Sequence, residues 1–145
     1  MTVFSFTKIV DINRDKFFTI STNYEKFTEV LPDHFQEIKI IETHGNVTKI
    51  LEKLNFLGKT VNVTTEHIIE KPGRHIVKIL DGQVKGTKFD EMYEEFGEKT
   101  KVTIKVDFVL SGGLKILGIF AKNKIKTNME KVLDEFAYYA KNHSD

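Results

Sequence analysis

Glycine residues recur at short, even intervals through the middle of this 145-residue chain. Gly45, Gly58, Gly73, Gly86 and Gly97 lie 11 to 15 residues apart, and the segments between them are rich in Val, Ile, Thr and Phe. Two adjacent antiparallel strands need only a tight turn between them. Evenly spaced turns of this kind therefore predict an up-and-down antiparallel sheet.

The chain after Gly113 has a different pattern. Apolar residues follow one another in steps of three and four from Leu114 to Tyr139, which predicts a helix over 114–142 with one apolar stripe. At 1.5 Å per residue this helix is about 43 Å long, and an eleven-residue strand spans about 37 Å. The helix can therefore lie along the whole sheet, with room for a ligand between the two.

Shorter signals place the other elements. Asn13 is a predicted helix N-cap, and Pro32 ends a second short helix that begins at about residue 24. Strict alternation of apolar and polar residues makes 100–110 the clearest strand, with one buried and one wet face. The predicted strands are 3–12, 35–43, 47–56, 59–69, 74–80, 87–96 and 100–110.

Composition narrows the class of protein. The length fits one domain over residues 1–145. A formal net charge of +1 offers no strongly basic face, so we expect no nucleic-acid partner. The absence of Cys excludes disulfides and thiolate chemistry. The N-terminus alternates as a strand does, unlike a signal peptide, and no apolar run is long enough to cross a membrane, so we expect a cytoplasmic protein.

Four short segments carry a family resemblance. Residues 10–18 (VDINRDKFF) resemble a strand-into-helix entry, and residues 27–32 (FTEVLP) resemble a second-helix pattern that ends in Pro. With the order of strand, two short helices, six strands and long helix, the chain resembles the START-type, birch-pollen-allergen-like superfamily (SRPBCC). The hairpins at 81–86 and 97–102 resemble its polyketide cyclase/dehydrase and coenzyme-Q-binding branch. The resemblance implies an α+β helix-grip fold, in which a curved seven-stranded antiparallel sheet wraps around the C-terminal helix.

Several polar side chains share the predicted inner face of the sheet with apolar ones. Alternation places Thr65, His67, His75 and Glu91 on this face. An unpaired polar group in an apolar interior costs about 1–3 kcal/mol, so this cluster indicates a hydrated or ligand-filled cavity. The predicted ligand-binding residues are Leu54, Phe56, Val63, Thr65, His67, His75, Val77, Phe89, Glu91, Tyr93, Val106, Phe108, Leu117, Phe120, Ala121, Ile125 and Met129.

These orientations have alternatives. A β-bulge in the sixth strand would turn Glu91 outward and bring Met92 inward. The two inward histidines are also compatible with a purely structural role. Glu52 is expected in solvent near a strand end, although strand alternation allows the inward orientation.

Residues 114–120 are apolar nearly all round and precede Lys122, Lys124 and Lys126. One interpretation is a cavity mouth that contacts a membrane or a donor protein through 114–126. The other is burial of the helix start under neighbouring loops, which is usual for helix turns that are apolar all round.

The sequence favours a carrier of a small hydrophobic ligand, such as a lipid, an isoprenoid or a polyketide-like compound. One alternative is a cyclase or dehydratase that uses His67, Glu91 and Tyr93 as acid and base in the same cavity. Another is a protein-interaction domain with a filled core. No nucleophile motif and no paired-histidine spacing occurs, so catalytic residues stay unassigned and we expect neither a metal nor a cofactor.

Overall fold

A computed structural model describes residues 2–56, 58–109 and 118–143. The chain begins with a strand and passes through short helical segments before the main run of strands. The elements are β1 (Thr2–Val10), α1 (Arg14–Ser21), a 3₁₀ turn (Tyr24–Lys26), α2 (Phe27–Val30), β2 (Phe35–His44), β3 (Val47–Phe56), β4 (Lys59–Glu70), β5 (Arg74–Ile79), β6 (Lys88–Phe96), β7 (Lys99–Phe108) and α3 (Gly118–Asn142).

All seven strands join one antiparallel sheet in the order β1-β7-β6-β5-β4-β3-β2. Strands β2 to β7 follow one another as the glycine spacing predicts, and β1 pairs with β7 at the far edge. Helices α1 and α3 pack together, and α3 also packs against β1. The predicted α+β helix-grip architecture is confirmed, with the long C-terminal helix lying against the curved sheet.

Local details follow from the sequence with small differences. Asn13 caps α1 as predicted, since its side chain accepts a hydrogen bond from the Lys16 backbone N–H. The predicted second helix is instead a 3₁₀ turn followed by the single turn α2. In β2, register irregularities at Phe35/Glu37 and Ile40/Glu42 interrupt the alternation, and Ile40 is left exposed. The first predicted residues of the long helix, 114–117, lie outside the described residues.

The core lies between the inner face of the sheet and the helices. Phe17 of α1 is fully buried, as are Val102, Ile104 and Val106 of β7. Ile125 of α3 meets this layer from the other side. Among the described residues, no helix is apolar enough over a sufficient length to cross a membrane.

Gly73 lies in the turn between β4 and β5, where it contacts the backbone of β6 at Tyr93. The Tyr93 backbone N–H donates to the Gly73 carbonyl over 2.6 Å. A Cβ added to Gly73 would come within 2.2 Å of the Tyr93 carbonyl oxygen. Close approach of two backbones, and not an unusual φ angle, therefore requires glycine here.

We expect Gly73→Ala to lower the free energy of unfolding by about 1–3 kcal/mol, because the backbone of β6 must shift to admit the methyl group. The matched control is Gly97→Asn. Gly97 has φ +61° and open space around it, a conformation that Asn tolerates, so a change below about 0.5 kcal/mol is expected. Urea denaturation measures both, and equal midpoints for Gly73→Ala and wild type would contradict the assigned contact.

Candidate functional site

A cavity of about 140 Å³ lies between the inner face of the sheet and α3. Strands β3 to β6 form one wall, α3 forms the other, and the segment around α1 and α2 closes one side. Its lining residues are Ser21, Phe27, His34, Phe35, Glu52, Leu54, Val61, Val63, Thr65, His67, His75, Val77, Ile79, Val84, Phe89, Glu91, Tyr93, Ile125, Asn128, Met129, Val132, Leu133 and Phe136. The wall is therefore mostly apolar, with its polar side chains gathered on the sheet.

Four titratable side chains on the sheet form a continuous hydrogen-bonded chain. Glu52 Oε2 lies 3.1 Å from His67 Nε2, and His67 Nδ1 lies 3.0 Å from His75 Nε2. His75 Nδ1 lies 2.8 Å from Glu91 Oε1. We call Glu52, His67, His75 and Glu91 the carboxylate–histidine chain. Each of the four residues is at most 8% exposed.

Strand pairing brings these residues together. Each of β3, β4, β5 and β6 contributes one member, and all four members point to the inner face. His75 lies directly opposite Glu91 in the β5–β6 register. His67 pairs with Val77, which places it diagonal to His75, two residues along β5. Side chains directly or diagonally opposite on one face lie within reach of one another, which accounts for the contacts of His67 with His75 and of His75 with Glu91. Glu52 lies opposite Val63, four residues from His67 on β4, so its longer side chain must extend past Thr65 to reach the His67 ring.

Hydroxyl groups hold both ends of the chain. The Thr65 hydroxyl donates to Glu52 Oε2, and the Tyr93 hydroxyl donates to Glu91 Oε1 over 3.0 Å. Over the middle, the ring of Tyr24 lies 4.5 Å from the ring of His67, between centroids. The Tyr24 hydroxyl is also 3.4 Å from His75 Nε2. These contacts fix the orientation of every group in the chain.

The number of protons in the chain follows from its geometry. Each of the three contacts needs one proton between its two heavy atoms, so the chain needs three. Two neutral imidazoles supply two ring protons, and two ionised carboxylates supply none. One extra proton is therefore required. The four groups then carry two negative charges and one positive charge, a net charge of −1.

Burial determines the ionisation of the neighbouring groups. Desolvation lowers the pKa of His67, although the hydrogen bond from its ring to Glu52 opposes the shift. The lowered pKa favours the neutral form of His67 at pH 7. Burial also lowers the pKa of His34. The pKa of the Tyr93 hydroxyl rises well above its usual value, through burial first and the adjacent Glu91 second, which keeps the phenol protonated.

The chain is linear, so its ligand atoms do not converge on one point. Among residues 2–56, 58–109 and 118–143, no group of three or more His, Asp or Glu side chains is arranged to hold a metal ion. The arrangement instead suits hydrogen bonding and proton transfer along the wall of the cavity.

The structure places most of the predicted ligand-binding residues on the cavity wall, and their role in binding stays a prediction. Those that line it are Leu54, Val63, Thr65, His67, His75, Val77, Phe89, Glu91, Tyr93, Ile125 and Met129. Val106 and Phe108 do not line it and are buried in the core. Leu117 lies outside the described residues, and the side chains of Phe56, Phe120 and Ala121 are not described. The contact predicted for 114–126 accordingly stays a prediction.

Two orientations are settled by the strand register. The β6–β7 pairing runs without a bulge, so Glu91 faces the cavity and Met92 is 41% exposed. The expectation that Glu52 lies in solvent is wrong, since it is 3% exposed. Its position between Ile50 and Leu54 on β3 was the signal, and the strand continues far enough past Glu52 for the alternation to hold.

Other residues that line the cavity are not predicted by any sequence pattern, notably Ser21, His34 and Asn128. Ser21 and His34 stand at ends of short segments without periodicity, so no pattern predicts where they point. Asn128 adjoins the apolar stripe of α3 next to Met129. It also borders an open groove of about 480 Å³ beside the β3–β4 turn, lined by Gly58, Asn123, Lys124, Thr127, Asn128 and Lys131.

Comparison with known proteins identifies the fold. No family model and no curated protein matches the sequence. Many solved structures superpose over nearly the whole chain, among them the following three. A START superfamily protein from Mycobacterium smegmatis has TM-score 0.84 and 11% identity, covering 97% of both chains. The ZhuI aromatase/cyclase from Streptomyces sp. R1128 has TM-score 0.82 and 12% identity, covering 97% of this chain and 93% of its own.

The third is norcoclaurine synthase from Thalictrum flavum, solved with dopamine and hydroxybenzaldehyde. Its TM-score is 0.77 at 13% identity, and the match covers 99% of this chain and 88% of the synthase. All three are helix-grip proteins. The resemblance read from the sequence is therefore confirmed for the fold, which this chain shares with both ligand-binding proteins and cyclases.

Burial of His67 predicts a pH dependence of stability. Below its ordinary pKa of 6.5 the ring of His67 is protonated in the unfolded chain but stays neutral in the folded chain, so in that range the unfolded state binds one proton more. The stabilisation is complete above about pH 6.5 and is lost as pH falls, by up to about 1.4 kcal/mol per pH unit. His34 acts in the same direction.

Urea denaturation between about pH 6.5 and 5, below the range in which the extra proton of the folded chain acts in the opposite direction, measures this slope. We expect His67→Gln to be less stable than wild type at the upper pH and to show a shallower fall in stability. His143→Gln, a change at an exposed position, is the control and should keep the wild-type slope. Identical slopes for wild type and His67→Gln would contradict the assignment.

Proposed function

We propose that this protein binds one small, largely apolar molecule in the cavity between the sheet and α3. The observation that carries the proposal is the void itself, lined mostly by apolar side chains and bordered by the carboxylate–histidine chain. An apolar body gains about 25 cal/mol for each Å² of apolar surface removed from water. Hydrogen bonds to the carboxylate–histidine chain then orient any polar group that the ligand carries.

The size of the cavity limits the ligand. Pockets for drug-sized ligands measure about 300–1,000 Å³, which is larger than the 140 Å³ found here. Apolar cavities of about 150 Å³ admit benzene. The void therefore limits the proposed ligand to a molecule built on one six-membered ring. Such a ligand is smaller than the lipid, isoprenoid or polyketide-like compound expected from the sequence.

We infer that the open groove is the route to the cavity. Asn128 lines both the groove and the cavity, so a ligand that enters beside the β3–β4 turn reaches the void by passing this side chain. Lys124 and Lys131 stand at the outer rim. We infer that the gap between the β3–β4 turn and α3 is the mouth.

A second candidate function is acid–base catalysis on the same guest. Two contacts favour it: the Tyr93 hydroxyl donates a hydrogen bond to Glu91, and Glu91 lies within hydrogen-bond distance of His75. General acid–base catalysis requires such groups within hydrogen-bond reach of the substrate. The aromatase/cyclase and norcoclaurine synthase among the structural neighbours show that this fold accommodates enzymes. The filled-core alternative is disfavoured by the void.

Filling the cavity tests the binding proposal. Val77 lines the void on β5 and is only partly buried, so Val77→Phe should occupy the space with a ring of its own. We expect it to weaken the binding of toluene at least tenfold, which corresponds to about 1.4 kcal/mol. Isothermal titration calorimetry, or NMR titration for weak binding, measures the affinity.

The matched control is Val3→Phe, the same substitution at a position that is 54% exposed on β1. It should leave toluene binding unchanged. Failure of the wild-type protein to bind any one-ring compound, neutral or charged, would contradict the proposed function. Equal binding by wild type and Val77→Phe would place the ligand elsewhere.

A further inference from the structure

The charge of the cavity wall indicates which polar group the ligand carries. Two carboxylates line the cavity, Glu52 and Glu91, and they are 3% and 8% exposed. Among the described residues, no Lys or Arg lines this cavity. His34, the remaining titratable base on the wall, is neutral at pH 7 because it is buried. No positive side chain of the described wall therefore faces the two acids, apart from the histidines already bonded to them.

The carboxylate–histidine chain leaves this charge uncompensated. Three contacts hold three protons, so the four groups carry a net charge of −1, as counted above. The count does not depend on which group holds the extra proton. A buried charge without a counterion is costly in an apolar interior. A positively charged guest would neutralise it, and a negatively charged guest would double the like charge.

Each carboxylate also keeps one oxygen for a guest. The hydrogen bonds described for Glu52 involve Oε2 only, those from Thr65 and His67. The hydrogen bonds described for Glu91 involve Oε1 only, those from His75 and Tyr93. In the described part of the chain, Glu52 Oε1 and Glu91 Oε2 thus have no hydrogen-bond donor. Both side chains line the cavity, so these oxygens are available to a donor on the ligand.

We propose that the ligand is a one-ring compound with a protonated amine, and that the amine donates to a free carboxylate oxygen of the carboxylate–histidine chain. This inference rests on the proposed binding function and names its ligand class. A neutral alcohol also donates a hydrogen bond, but it does not compensate the charge. A carboxylate or phosphate brings a second negative charge and finds no cation on the described wall.

Four ligands of nearly equal shape test the proposal: toluene, benzylamine, benzyl alcohol and benzoate. At pH 7 the amine is a cation and the benzoate an anion. We expect wild-type protein to bind benzylamine at least tenfold more tightly than benzyl alcohol, and to bind benzoate more weakly than toluene. Isothermal titration calorimetry in low salt, with NMR titration for weak ligands, gives the four affinities.

Variants of the carboxylates localise the effect. We expect Glu91→Gln and Glu52→Gln each to reduce the ratio of benzylamine to toluene affinity about tenfold. The matched control is Glu94→Gln, on the same strand as Glu91 but on the outer, exposed face, and it should keep the wild-type ratio. If a buried variant does not fold, the wild-type ligand series still decides the matter.

The outcomes separate the two proposals. Toluene binding without a preference for the amine, or benzoate binding as tight as benzylamine, would overturn the ligand class and leave the binding function standing. A ratio that falls equally in Glu94→Gln would attribute the preference to general charge and would also overturn it. Failure of all four ligands to bind would overturn both proposals.

Discussion

The contact between the two histidine rings is the interaction on which the site depends. His67 Nδ1 and His75 Nε2 lie 3.0 Å apart in a buried environment, and two lone pairs at that distance repel unless one proton lies between them. Once that proton is present, the contacts to Glu52 and Glu91 set the remaining protons. The charge of the cavity wall and the orientation of its hydroxyl groups follow from this one requirement.

The sheet makes this contact possible at low conformational cost. The four members of the chain lie on the inner face of four neighbouring strands, one on each strand. The register brings His67, His75 and Glu91 together, and the length of the Glu52 side chain spans its offset from His67. Helix α3 packs over the carboxylate–histidine chain but does not fill the space beside it. Asn128 and Met129 of α3 line the void that remains. Tyr24 closes the other side through its contacts with the rings. The sheet and α3 therefore form an apolar cavity with ordered polar side chains along one wall.

Much of this architecture is visible in the sequence because its signals are periodic. Glycine spacing predicts the meander, and alternation on β4, β5 and β6 predicts that His67, His75 and Glu91 share a face. The rest depends on distances that no pattern contains. The bonding between the two histidines requires the stagger of β4 against β5, and the inward position of Glu52 required the length of β3. Cavity volume depends on how closely α3 approaches the sheet, which the sequence does not determine. A void of 140 Å³ is smaller than a ligand of lipid size requires.

Nitrogen NMR of the histidine rings tests the buried chain most directly. With ¹⁵N-labelled histidine in the ligand-free protein at neutral pH, the account predicts one shared proton between the rings, seen as a coupling across an N–H···N hydrogen bond between His67 Nδ1 and His75 Nε2. It also predicts that the coupling persists in the Glu94→Gln variant. Two unprotonated nitrogens facing each other, or rings that exchange freely with solvent, would contradict the proton count and the negative charge inferred for the cavity wall.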